Sequence, residues 1–205
     1  MKTFTTSVQK PMLEISYFEG ATSPREWDNV ALFVLRRGFG DSKDSYHNTI
    51  LEETSSNSNN VEEHEVNFVK AFEDYTNQTV VYSTAITKYE HSGIRLMQGV
   101  YTGWDYGVIG FAVITEERLE ALGVGHRNFE SIVDSELDEL NAYINGDVYH
   151  YRLFDEDGNE IDSCGGYYSL DDIKEELGEE WQDEDMQEYM QSDEYAEKIA
   201  KEKIG

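Results

Sequence analysis

TVVYSTAITKYEHSGIRLMQGVYTGWDYGVIGFAVI, residues 79–114, is the stretch whose reading decides the fold. It divides into TVVYSTAITKY (79–89), GIRLMQGVY (93–101) and YGVIGFAVI (106–114), three apolar runs rich in β-branched and aromatic residues. That composition fits a pleated, packed surface, so the runs are expected as successive strands. Upstream, VEEHEVNFVKAFEDYTN (61–77) places Val66, Phe68, Val69, Phe72 and Tyr75 near helical spacing. Downstream, TEERLEALG (115–123) has an N-cap threonine and a glycine stop, the two ends of a short helix.

Residues 127–145 form a longer predicted helix, with Phe129, Ile132, Val133, Leu137, Leu140 and Ile144 on one face and Gly146 beyond its end. PMLEISYF (11–18) alternates as a strand does, and DVYHYRLF–DEDGNE–IDSC (147–164) has the form of a β-hairpin. Residues 28–37 are mostly apolar and fit a buried helix or strand; Ser23 as a cap and Pro24 in a first turn favour the helix. TSSNSNN (54–60) has no apolar residue and is expected as a loop. Residues 170–204 are expected to be helical, with a break near Ser192. Strands and helices mix without strict βαβ alternation, which predicts an α+β fold with a mainly antiparallel sheet. The expected division is an α+β domain over 1–168 and an acidic helical segment over 169–205.

Forty-three acids face 16 Lys and Arg, a net charge of −27. Such a surface repels nucleic acid and anionic lipid and favours basic partners. The charge is graded: residues 1–50 are neutral, 51–100 carry −5, 101–150 carry −8 and 151–205 carry −14. One cysteine, Cys164, excludes an intramolecular disulfide. No secretory leader pattern opens the chain and no apolar run approaches the roughly 20 residues of a membrane span. The expected setting is the cytoplasm.

Signatures of catalysis are missing from the sequence. The five histidines show no metal spacing, and no P-loop, GxGxxG or nucleophile elbow is present. Neither metal nor cofactor is expected. Asp155, Asp157, Asn159 and Asp162 echo a calcium loop but lack its terminal glutamate, and Asp-Gly-Asn suits a tight turn instead. Cys164 before two glycines would need a base such as His91 or His150 to act as a nucleophile; a small apolar filler is the plainer role.

The acidic end carries the strongest pattern. Asp172, Glu176, Glu180, Glu184 and Glu188 follow an i, i+4 row, and Asp171, Glu175, Glu179 and Asp183 make a second row beside it. On one helix these carboxylates stand about 6 Å apart, a spacing that resembles phosphates along a nucleic-acid strand. Ile173, Leu177 and Trp181 form a stripe that would dock the helix. With Asp134, Glu136, Asp138 and Glu139 of DSELDE, these acids are the candidate partner-binding residues. The alternative is a solvated tail that aids solubility.

SPREWDN (23–29), RRGFGD (36–41), EHSGIRL (90–96), GWDYGVIGF (103–111) and GDVYHYRLFDEDGNEIDSC (146–164) occur in an order that resembles a family of uncharacterised small proteins found mostly in phages and mobile elements. The resemblance spans about residues 11–168. Leu35 stands where the family usually has histidine, and Gly165 where it tends to have tryptophan. It implies a phage or mobile-element origin. With the charge, this suggests an inhibitor of a host defence or DNA-handling protein that imitates DNA charge. The alternative is a nucleotide or phosphate site, enzymatic or sequestering. There Arg25, Arg36 and Arg37 would hold the anion, Asp28, Asp41, His91, Ser92 and Asp105 would be polar partners, and Trp27 and Trp104 would stack on a ring. A third possibility is a structural accessory of the virion.

Overall fold

A computed structural model describes residues 12–36, 45–125, 128–155 and 157–178, together with residues 181 and 186. The fold is α+β, with two antiparallel sheets. In chain order the elements are β1 (Met12–Tyr17), β2 (Leu32–Leu35), α1 (Ser45–Ser56), α2 (Val61–Thr76), β3 (Val80–Glu90), β4 (Ile94–Gln98), β5 (Tyr106–Thr115), α3 (Glu116–Leu122), α4 (Phe129–Asn145), β6 (Tyr149–Phe154), β7 (Glu160–Tyr167) and α5 (Leu170–Leu177). They fall into two compact units, Thr22–Asn145 and the combination of Met1–Ala21 with Gly146–Gly205. The compositional boundary at 168 therefore does not coincide with a unit boundary, because the N-terminal strand pairs with β6 far along the chain.

The larger unit is built on a sheet of order β2-β5-β3-β4, every pair antiparallel. β5 is central, and Phe111, Ala112, Val113 and Ile114 are all fully buried. Alternation sends Ala112 and Ile114 into one core with Val133, Leu137 and Leu140 of α4. Phe111 and Val113 go to the other face, into a core with Leu51, Phe68 and Phe72 of α1 and α2. The sheet is thus covered on both faces.

That double burial explains the residues expected as a helix over 28–37. Ser23 does cap and Pro24 does start a turn, but the turn is a single 3-10 turn, Pro24–Glu26. Leu32–Leu35 is a strand whose Phe33 and Leu35 enter one core and Val34 the other. An apolar run buried on both faces has no period to tell strand from helix.

The segment expected as a loop over 54–60 is also corrected, since α1 runs to Ser56. Its hydroxyls and amide turn back on the helix: Thr54 donates to the Ile50 carbonyl, Ser56 to Glu52, Asn57 to Glu53 and Ser58 to Thr54. Short polar side chains here satisfy the carbonyls that a helix end leaves without partners. In α2 the buried row is His64, Phe68 and Phe72, whereas Val66 and Tyr75 are exposed.

In the smaller unit the sheet has order β1-β6-β7. Leu13, Ile15 and Tyr151 form its core with Ile173, Trp181 and Met186. The stripe of Ile173, Leu177 and Trp181 does dock, with Leu177 half-buried at its margin. The β6–β7 turn is held by Asp155, whose Oδ1 accepts from the Asp157 and Asn159 amides at 2.9 and 2.8 Å.

Candidate functional site

The acidic rows are resolved on two helices. α4 carries Glu130, Asp134 and Asp138 at i, i+4 and i+8, all exposed, and no Lys or Arg. Their carboxylates follow one line about 6 Å apart. The opposite side of α4 buries Val133, Leu137 and Leu140, so this line is fixed by the core. Glu130 completes the row, and the sequence reading omitted it. The i−4 step from Asp134 was the available signal.

Glu136 does not belong to that surface. Its Oε1 accepts from the Val30 amide at 2.7 Å and its Oε2 from Ala31 at 2.9 Å, tying α4 to the start of β2. Burial pushes its carboxyl above the usual carboxylate range in spite of those two bonds and of nearby Arg118. Glu139 is half-buried and engaged.

In α5, Asp171, Asp172, Glu175 and Glu176 are exposed. Partial burial, and after it the neighbouring Glu175 and Asp171 charges, hold the Asp172 carboxyl above its ordinary value. The rows do not continue unbroken. α5 stops at Leu177, and Gly178 has φ +91°, a backbone that L side chains rarely adopt. Glu179, Glu180, Asp183, Glu184 and Glu188 lie outside the described residues.

The residues expected to form a ligand pocket separate into different places. Arg25 donates from Nη2 to the Phe33 carbonyl at 2.6 Å, closing the outer edge of β2. Trp27 is half-exposed and donates to Thr22 Oγ1 at 3.3 Å, and Asp28 is exposed. His91, Ser92, Trp104 and Asp105 lie at the far end of the sheet, with His91 Nδ1 3.6 Å from Asp105 Oδ2. Phe33 pairs with Ala112, whereas Tyr89 pairs with Tyr106. Six positions of β5 separate those pairs, about 20 Å at the rise of a strand. Arg25 and the His91 turn therefore do not share a pocket. Arg37 and Asp41 lie outside the described residues.

Two features went unread in the sequence. One is an aromatic ladder at the His91 end: Tyr89 and Tyr106 rings lie 4.9 Å apart, Tyr106 and Tyr101 6.1 Å, and Tyr89 and His91 6.4 Å. Trp104 beside it is fully exposed. The other is a cavity of about 230 Å³ lined by Arg36, residue 55 of α1, residues 58–60 of the α1–α2 connection, Val61 and His64 of α2, and Val108 and Gly110 of β5. Of the expected pocket residues that are described, only Arg36 lines it. The others come from segments remote in sequence, so no local pattern could announce them.

Cys164 is exposed and lies opposite Tyr151 in the β6–β7 ladder. His150 is the preceding residue of β6, so its side chain points to the other face, where it meets Ser16 at 3.0 Å. That arrangement gives Cys164 no base from His150. Among the described residues, no helix is long and apolar enough to cross a membrane. No family model, curated protein or solved structure matches the chain.

Proposed function

We propose that the chain is an acidic binding protein that docks on the basic, DNA-binding surface of a partner and occupies it in place of DNA. The observation that carries this reading is the exposed Glu130–Asp134–Asp138 row on a helix without a cation, anchored through its other face. The α5 carboxylates add a second acidic surface, and the net charge of −27 supplies long-range attraction to cationic proteins. Exposed Trp104 and Tyr101 offer the aromatic area that commonly anchors protein interfaces. The resemblance to phage-encoded proteins directs the search to host defence or DNA-handling proteins in the host cytoplasm.

The test is a pull-down from host lysate at low and high salt, with and without competing duplex DNA. A basic partner should be retained at low salt, released as salt rises, and displaced by DNA. Retention indifferent to both salt and DNA would sink the charge-imitation mechanism.

A further inference from the structure

We propose that the cavity between the α1–α2 connection and the β2–β5 edge is a binding site for a small anion, a carboxylate or phosphate group held by Arg36. This site is separate from the acidic docking surface.

Charge is the first reason. In a chain where acids outnumber bases 43 to 16, a guanidinium would ordinarily find a carboxylate. Arg36 has none among the described residues: its backbone amide bonds the Ile109 carbonyl at 2.8 Å, and its exposed side chain lines the cavity. Among the described residues, no Asp or Glu lines that cavity. The planar fork of an arginine is matched by a carboxylate or phosphate.

Unused donors are the second reason. Ser58 is fully engaged, donating to the Thr54 carbonyl and accepting from Asn67 Nδ2. Asn59 is tied to Glu63. Asn60 uses its Oδ1 to cap α2 through the Glu63 amide, which leaves its Nδ2 donor available to the cavity, as is the Ser55 hydroxyl. His64 donates through Nε2 to the Leu51 carbonyl at 3.1 Å. Burial, with the Arg36 charge adding to it, holds this imidazole below its ordinary pKa and so neutral. Among the described residues the cavity therefore presents one positive charge with neutral donors around it, which complements a small anion. At about 230 Å³ it is smaller than the roughly 300–1,000 Å³ usual for drug-sized ligands, so the molecule is small.

The full chain should be titrated at pH 7.5 with acetate, with inorganic phosphate, and with chloride at matched ionic strength, following the His64 ring resonances and the thermal midpoint. Saturable shifts with acetate or phosphate, beyond those with chloride, are expected, and the stronger of the two identifies the group. Arg36→Gln, at an exposed position, should fold normally and weaken that binding about tenfold or more. Ser55→Ala should weaken it by a smaller factor. Shifts no larger than chloride gives, or unchanged affinity in Arg36→Gln, would overturn the proposal. Lysine at Glu130, Asp134 and Asp138 should leave this titration unchanged, which separates it from the docking surface.

Discussion

Gly110 shows how one residue can hold two strands together. A Cβ built there would lie 2.0 Å from the Val34 carbonyl oxygen and 2.9 Å from Leu35 Cα, both backbone atoms that cannot swing aside. Gly110→Ala should therefore destabilise the larger unit by about 1–3 kcal/mol, read as a lower urea midpoint with an unchanged slope. His64 makes a different prediction at the same scale. Its folded pKa lies below the ordinary histidine value of 6.5, so the unfolded chain binds its proton more readily. Stability from this group is then complete above pH 6.5 and is lost as pH falls through that value toward the folded pKa. Unfolding free energies at pH 7.5 and 5.5 should differ less in His64→Gln than in the parent protein. An equal difference would remove His64 from the account.

At the scale of elements, α4 acts as a substitute for a further strand. β4 is an edge of the sheet, and Asn141 and Asn145 cover its outward peptide groups. Asn141 accepts from the Leu96 amide at 2.7 Å and donates to the Leu96 carbonyl at 2.9 Å. Asn145 does the same for Ile94, at 3.1 and 2.7 Å. The match works because four residues of helix rise about 6 Å and two residues of strand about 6.6 Å. Asn141→Ala should cost about 1–2 kcal/mol and free part of an edge that can pair with other chains. Light scattering during mild heating should rise earlier in that variant; coincident curves would show that the edge is not protected this way. The Asn-x-x-x-Asn spacing is visible in the sequence, but its partner β4 lies some 45–51 residues away, and nothing local connects them.

For the whole molecule, charge placement should govern binding and leave folding intact. Lysine at Glu130, Asp134 and Asp138 should fold, since these positions are exposed, and should weaken capture of a basic partner about tenfold while flattening its salt dependence. Reversal of Asp171, Asp172, Glu175 and Glu176 tests the α5 surface separately. If neither variant alters capture, the acidic surfaces are solvated faces with no docking role.

Much of this architecture was legible in the residues. The three runs in 79–114, the hairpin at 147–164, the Thr115 cap with its Gly123 stop and the apolar face of α4 follow from local propensity, period and turn chemistry. Leu32–Leu35 was not, because burial on both faces erases the period that separates strand from helix. Gly178 was readable in principle, but the regular spacing of the carboxylates outweighed it, and the helix stops before the rows do. The sequence by itself determined the element types, the net charge and the acids available for display. Only the tertiary structure decided that Glu136 turns inward, that Arg25 closes an edge while Arg36 faces a cavity, and that Asn141 meets Leu96. Those outcomes depend on which remote backbone groups pack beside each side chain, and long-range pairing fixes that.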